Sequence, residues 1–574
     1  MPKAQPAPEV SAEASGESGA GTNQVSAVAG SAQVVAASNA TAAASGAVPQ
    51  SVTPAAVGEV EAIHQKPENV VSITNDVLKL DFSSWGGGVA KAELIERHNG
   101  KLKYPAVNEA DSGPVVLDFS VRPALSYNGL GGISSLNDFE LKTVSENSLE
   151  VRGKSESGLS LVRSVVLSNE YVVTVSDVIK NEGKESISVP AYSLNAGPMS
   201  KIESHSRSRG MSYLGVETRS TEDGKVTRWD RRLSGLFGVK GGCSRVDLTG
   251  VPLSQEMNLE QPADWVAVKN KFFAQVLIPE EGSTGGVFFA QRAEGLKFKL
   301  SEVSAAMSFA SGELAPGESV SRTIRYYVGP KQYSKMKALG GNQDRIVLRS
   351  WPGFGWWRWA CAGLLWLLNA LNVVTHNYGV AIILLTVIVR MVFWPVTQKG
   401  TESMKRMKDV QPELTKLREK YKSDPRKMQE QQMLLYRKHG INPVAGCLPM
   451  VIQMPVFIAL YTVLRSAVEL RFQSFLWITD LCEPEGLLAG VLPFPAGGLN
   501  ILPILMTLTM VIQQRLTPTA GDPQQQKMMA FMPVMMLFLF YNMAAALVLY
   551  WTVSQLLSIL QLVLQNRKNK LKVA

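Results

Sequence analysis

The chain is poor in the residues that usually announce chemistry. Its four cysteines (Cys243, Cys361, Cys447 and Cys482) lie far apart and form no C-x-x-C pair, so neither a zinc site nor a disulfide framework is suggested. The five histidines are equally scattered. There is no Walker phosphate loop, no G-x-S-x-G elbow and no H-E-x-x-H pair. No catalytic set, metal site or cofactor is therefore expected. Charge is scarce too, at 19% of 574 residues, against roughly 25% in soluble domains. The balance is nevertheless +9. A basic surplus suits nucleic acid, anionic lipid or cytoplasmic loops of a membrane protein, so its location decides its meaning.

Leu, Phe, Trp and Tyr are absent before Leu78. Residues 1–65 are mostly Ala, Ser, Gly, Pro, Val and Gln, and cannot bury enough apolar surface to offset ordering entropy. They read as a disordered linker. No apolar signal-peptide core is present in them. Residues 66–345 differ. Alternating or β-branched runs at 78–82, 115–121, 171–179, 272–278 and 323–328 are punctuated by Gly86-Gly87-Gly88, Asn181-Glu-Gly183 and Gly241-Gly242. Many short strands with glycine turns predict a large antiparallel sandwich. No spacing within it singles out a catalytic set.

From Trp351 the chain becomes membrane-like. Residues 359–389 carry no Asp, Glu, Lys or Arg, a run of 31. As one helix this would be about 46 Å long, more than a ~30 Å hydrocarbon core needs. Five of eleven tryptophans fall between 351 and 366, and Asn369, Asn372 and His376 recur at helical spacing. An interfacial amphipathic helix at 351–376 followed by a span at 378–396 fits; a single tilted span is the alternative. Further uncharged runs at 439–464, 486–514 and 528–566 give spans at 443–464, 496–515, 525–541 and 544–566, with a turn at 541–544. The fold class expected is thus a multi-pass α-helical membrane bundle of five spans plus a large periplasmic all-β domain.

Orientation follows from Lys and Arg. Loop 397–441 holds 12, loop 515–527 holds two and the tail 567–574 holds four, whereas the opposite side has only Arg465 and Arg471. Loop 397–441 and the C-terminus are expected in the cytoplasm, and the β domain in the periplasm of a Gram-negative cell. A domain of that size needs an export signal. An apolar segment of about 20 residues upstream of Met1 is therefore expected.

Three features could carry function. In loop 397–441, Met407, Val410, Leu414, Leu417 and Tyr421 recur at steps of 3 and 4, giving a charged helix one apolar stripe. Ser423-Asp424-Pro425 breaks it, and Asp424 can cap a second helix with Pro425 at its first position. This hairpin either packs on itself or offers Met404, Met407, Met428 and Met433 as an adaptable docking surface. Met528, Met529, Met532, Met535 and Met536 crowd the fourth span, as packing or as a soft surface for varied substrates. The third feature is Arg390, a permanently charged guanidinium within an apolar run. None of the five spans contains Asp or Glu. Arg390 either snorkels to the cytoplasmic interface or sits in a wet recess. Thr386 lies one turn away, and Gln453, Gln513, Gln514, Ser554 and Gln555 are amides and a hydroxyl available on other spans.

The sequence resembles the bacterial YidC family of membrane protein insertases, related to the mitochondrial oxidase-assembly and chloroplast Albino insertases. The matching residues are Thr386-Val-Ile-Val-Arg390 with Trp394-Pro395, Gln411-Pro412, Asn442-Pro443-Val-Ala-Gly-Cys447-Leu-Pro449, Gln453-Met-Pro455, Asp522-Pro523 with Gln525-Gln526-Lys527, Phe531-Met-Pro533 and Leu547-Val-Leu-Tyr550. The resemblance extends through the β domain, around Thr74-Asn-Asp-Val-Leu78 and Gly86-Gly87, and covers residues 66–566. The resemblance implies a non-enzymatic insertase and folding chaperone of the inner membrane, with a hydrophilic, positively charged groove. Arg390 and Thr386 match its groove positions, and Tyr550 and Trp551 match aromatic positions contacting substrate. The β domain would be a supersandwich similar to sugar-mutarotase folds, without implying sugar chemistry. Implied partners are nascent membrane proteins, the Sec translocase, the ribosome and signal recognition particle pathway, and anionic lipids, with no specific nucleic-acid sequence. The family's Gram-negative members begin with an additional span before the linker, which this numbering lacks. A solute transporter or channel is the rival reading, and would need paired repeats or a continuous polar path. A merely anchored periplasmic sugar-binding protein would need one span.

Overall fold

A computed structural model describes residues 67–573 apart from 109–111, 201–213, 230–253, 260, 282, 284–285, 295–298, 349–355, 423, 441–447, 465–466, 489–497 and 517–522. The linker 1–65, Gly241-Gly242, the 442–447 motif, Trp351 and Asp522 lie outside the described residues.

The strands run from Val70 to Pro330. A nine-stranded antiparallel sheet has the spatial order Val226–Arg228, Gly215–Ser220, Ala263–Lys269, Phe273–Pro279, Ser319–Pro330, Val172–Asn181, Leu159–Leu167, Ser148–Lys154, Glu140–Ser145. A five-stranded sheet containing Lys299–Phe309 and Tyr192–Ser200 faces it, and a four-stranded sheet begins the domain. Period-two alternation sets the register. In Leu159–Leu167, Leu161, Arg163, Val165 and Leu167 point inward; opposite them in Val172–Asn181, Val173, Val175, Asp177 and Ile179 do the same. Gly87 shows where a turn demands glycine: its φ is +59°, and a Cβ there would meet the Phe139 ring at 2.7 Å.

Helix α1 (Tyr333–Ala338) leads out of the sheets. The remaining helices are α2 (Trp357–Thr375), α3 (Tyr378–Asp409), α4 (Gln411–Lys420), α5 (Pro425–Lys438), α6 (Leu448–Leu464), α7 (Ile501–Leu516), α8 (Pro523–Phe540) and α9 (Ala545–Val573). His376, at φ +51°, ends α2 and separates it from α3. By length and composition, two described helical stretches can cross a membrane, Tyr378–Pro395 and Ala545–Gln565. The stretches Gln453–Leu464, Ile501–Leu516 and Ala530–Phe540 are apolar but shorter. The bundle's outer faces are strongly apolar: Trp359, Trp366, Val374, Phe531 and Phe538 are each at least 65% exposed. A soluble monomer rarely leaves so much contiguous apolar area in water.

Two boundaries differ from the sequence expectation. Helix α3 does not stop at 396; it runs through Pro395 to Asp409. Proline removes one backbone donor, and the rest of the ladder carries the helix onward. The apolar stripe from Met407 to Tyr421 is also not one helix. It breaks at Val410, and α4 restarts with Pro412 in its first turn, where a missing N–H costs nothing.

The β domain and bundle meet through the loop after α6. Arg471 donates from Nη1 to Pro105 O (2.8 Å) and from Nη2 to Ala106 O (3.0 Å), and lies over the Phe472 ring. Lys271 pairs with Glu483 at 2.5 Å, and Asn108 Nδ2 donates to Thr479 O at 3.0 Å. Glu485 accepts from the first amides of α7, at Ile501 and Leu502, satisfying donors that the helix cannot satisfy itself.

Candidate functional site

Helices α3 and α9 pack along a polar seam. On α9, Tyr550, Ser554, Ser558, Gln561 and Gln565 recur at steps of 4, 4, 3 and 4, which places them on one face. On α3, Arg390 and Thr397 lie two turns apart. Arg390 Nε and Nη2 both donate to Ser554 Oγ, at 2.9 and 2.6 Å. Lower down, Gln561 Nε2 donates to Thr397 Oγ1 at 3.4 Å, and Ser558 Oγ donates to Ser554 O at 3.0 Å. One turn above Ser554, Tyr550 is buried and accepts from Gln453 Nε2 of α6 at 2.5 Å.

The electrostatics are one-sided. Arg390 is half-buried and makes no ion pair among the described residues. Its partner, the Ser554 hydroxyl, is neutral, so the cation is oriented without being cancelled. A guanidinium has five donors; two are directed at Ser554. The seam also leaves acceptors and donors over. Both polar atoms of Gln565 are buried without a hydrogen-bond partner, as is Gln555 Oε1 about a quarter turn round α9 from the seam. Such groups are costly in an apolar interior and mark a place where water or a polar chain segment would be welcome.

The other expected residues divide. Thr386, one turn before Arg390 on the same face of α3, is wholly buried, and its hydroxyl donates to Ile382 O at 2.7 Å, a backbone bond of the kind Ser558 also makes. Trp551 meets α6 one turn along from the Gln453–Tyr550 contact. It packs edge-on to Phe457 (4.8 Å between centroids) and against Phe540 (5.3 Å), with its indole N–H buried and unpartnered. Gln513 and Gln514 are half-buried on α7. Thr397, Ser558, Gln561 and Gln565 were missed by sequence reading. Their signal was available in the 550–565 spacing, but single hydroxyls and amides do not stand out in an apolar run.

In the hairpin, Asp424 accepts from Lys427 N–H at 3.1 Å and caps α5, whose first residue is Pro425. Met407 settles on the self-packing side of the two readings: with Val410, Leu414 and Tyr436 it forms the hairpin's own core, joining the end of α3 and α4 to α5. The exposed apolar residues there are Met433 and Leu434. The Met404 side chain lies outside the described residues. No group of His, Cys, Asp and Glu among the described residues is arranged to hold a metal.

A family model described as YidC periplasmic domain matches residues 70–367, and one described as 60Kd inner membrane protein matches residues 370–572. A membrane protein insertase YidC of Cupriavidus necator is 33% identical over 539 residues, covering 91% of this chain and 88% of its own. A membrane protein insertase YidC of Syntrophobacter fumaroxidans is 44% identical over 315 residues, 54% of this chain and 55% of its own. A crystal structure of an active YidC insertase with its first transmembrane domain resolved covers 88% of this chain and 96% of its own, at 19% identity and a TM-score of 0.33. With both halves of the chain matched in order, and a full-length relative at this identity, the chain belongs to the YidC family of membrane protein insertases.

Proposed function

We propose that this insertase works by holding an uncancelled positive charge on a polar seam inside its helical bundle. The single observation behind this is Arg390, whose guanidinium meets a serine hydroxyl and, among the described residues, no carboxylate. The segment to be moved across carries acidic or polar groups. Each unsatisfied group costs several kcal/mol in hydrocarbon, and the seam lowers that cost by offering a cation, hydroxyls and unpartnered amides. The substrate's apolar helix then leaves along the exposed outer faces into lipid, and its burial drives the reaction. The membrane potential adds about 2.3 kcal/mol per charge per 100 mV.

In this reading five spans cross the inner membrane, formed by the first part of α3 and by α6, α7, α8 and α9. The short helices α6 to α8 have 16–18 residues, or about 24–27 Å, and cross where the bilayer thins around them. Helix α2 lies in the interface, the β domain faces the periplasm and the C-terminus faces the cytoplasm. Nascent membrane proteins are the substrates, arriving alone or through the Sec translocase, ribosome and signal recognition particle pathway. The basic end of α9 also attracts anionic lipid.

Depletion with complementation tests this. Cells carrying only Arg390→Leu should insert a small substrate with an acidic translocated tail at least tenfold more slowly, and the same substrate with a neutral tail near the normal rate. Equal rates for the acidic tail in both strains would overturn the mechanism.

A further inference from the structure

The nine-stranded sheet carries a second polar recess, remote from the seam. A cavity of about 560 Å³ opens between the sheet and the segment after α1. Arg219 and Arg325 line it with Glu280, Glu281, Trp265 and Gln343. Arg219 is paired with Asp264, and Arg325 Nη1 donates to Leu339 O at the long distance of 3.5 Å. Gln343 is only 1% exposed; its Oε1 accepts from Gly341 N–H at 2.7 Å, while its Nε2 has no partner. Arg219 Nε is likewise buried and unpartnered. Glu280 and Glu281 are exposed.

Two opposite charges in one cavity, beside unspent donors, fit a small dipolar ion. The cationic side (Arg325, the Gln343 amide and Arg219 Nε) suits a phosphate diester. The carboxylates of Glu280 and Glu281 suit an ammonium. With Asp264 included, the lining carries three acids against two arginines, which disfavours a purely anionic ligand. The neighbourhood identifies the source. The cavity wall at Gln343 adjoins Asp344, which sits 3.6 Å from Arg358 in the first turn of α2. That helix exposes Trp359 and Trp366, the amphipathic residues that favour the headgroup level.

We propose that this cavity binds the headgroup of a zwitterionic, amine-bearing membrane phospholipid of the phosphoethanolamine type. The proposal rests on α2 lying at the membrane surface and is independent of the seam. The lipid would tether the β domain to the leaflet beside it, a short distance from where the chain enters the bundle.

The full chain, reconstituted in nanodiscs of phosphatidylethanolamine and phosphatidylglycerol, would be stripped of bulk lipid and its retained lipids read by native mass spectrometry. Phosphatidylethanolamine should be retained at least fivefold over phosphatidylglycerol, and over phosphatidylcholine when that replaces it. The double variant Glu280→Gln/Glu281→Gln, on an exposed edge, should lose that preference with an unchanged melting temperature. Arg325→Gln should lower retention of both zwitterionic lipids. Preference unaltered in the Glu280→Gln/Glu281→Gln variant, or phosphatidylglycerol retained equally by the unaltered chain, would overturn the proposal. So would displacement of the lipid by millimolar soluble phosphoethanolamine as readily as by the lipid itself, which would make the site one for a free small molecule.

Discussion

Two of the arginines shielded from bulk water, Arg163 and Arg390, are treated in opposite ways. Arg163, in the β domain, is 1% exposed. Its Nε and Nη2 donate to both oxygens of Asp177 (2.7 and 2.8 Å), and its Nη1 donates to Gly87 O and Leu125 O. Tyr127 Oη–H donates to the same carboxylate at 2.7 Å. Arg390, in the bundle, donates among the described residues to Ser554 only. The first site is closed: charge, fork geometry and carbonyls are matched, and nothing is left for a ligand. The second site is open: the charge is held in place but not answered. A buried ion pair of the first kind is a structural device; in the function proposed above, the unanswered cation is the working part.

The comparison breaks most visibly on removal of the partner. Asp177→Ala strands Arg163 in a dry core and should cost about 3–5 kcal/mol, seen as a large drop in the melting temperature of the β domain. Ser554→Ala and Arg390→Leu should each change thermal stability by under ~1 kcal/mol, while Arg390→Leu reduces insertion of acidic substrates. If Arg390→Leu unfolds the bundle as Asp177→Ala unfolds the sandwich, the two arginines have the same role.

Substituting lysine sharpens the contrast. Arg163→Lys keeps the charge but loses the bidentate fork, and an Arg-to-Lys change at such a site is not conservative; about 2 kcal/mol should be lost. Arg390→Lys keeps what the seam needs, a positive charge. Insertion by that variant should stay within about threefold of normal, measured on the same acidic-tailed substrate.

The difference between the two sites also explains what was legible in the sequence. Arg390 was visible because it interrupts an apolar run. That it meets no carboxylate could be read from the lack of Asp and Glu in the spans. Arg163 was not visible, because a charged residue in an alternating strand looks like an outward-facing one until Asp177 is placed opposite it by register. The strand-rich domain could be read from glycine-punctuated β-branched runs, and the turn at 541–544 from run length. Helical spacing says which residues share a face, not what covers that face, so the choice for Met407 between self-packing and docking stayed open in the sequence until Val410, Leu414 and Tyr436 were placed around it. The contacts of Arg471 with Pro105 and Ala106 join residues more than 360 positions apart, and no local pattern announces them.

That junction is where the two regions meet, and it supplies a test of intermediate size. Arg471→Ala would leave two carbonyls without their donor and uncover Phe272 and Phe273. The loss should be about 1–3 kcal/mol, confined to docking of the loop around 467–488. It should be read as faster amide exchange there, with the protection around Arg163 unchanged. Uniform deprotection of the sandwich would mean that the junction, and not the Arg163 cluster, holds the β domain together.

The smallest effect expected is a pH dependence of that same docking. Burial pushes Asp480 up to about 6, from 3.8 in an unfolded chain, and Glu469 up to about 7, from 4.5. Both groups bind protons more tightly docked than free. Their contribution is therefore complete below the unfolded values and is lost as pH rises, first through about 6 and then through about 7. The slope is at most ~1.4 kcal/mol per pH unit per group. Asp480 Oδ1 accepts from Cys482 N–H at 2.8 Å, and the Cys482 carbonyl accepts from Lys271, so the amides of 480–483 are the natural reporters. After correction for intrinsic exchange, their protection should fall between about pH 4 and about pH 7 and level off above that. Asp480→Asn should flatten the lower half of the curve and Glu469→Gln the upper half, with the amides of Leu159–Leu167 in the sandwich as the internal control.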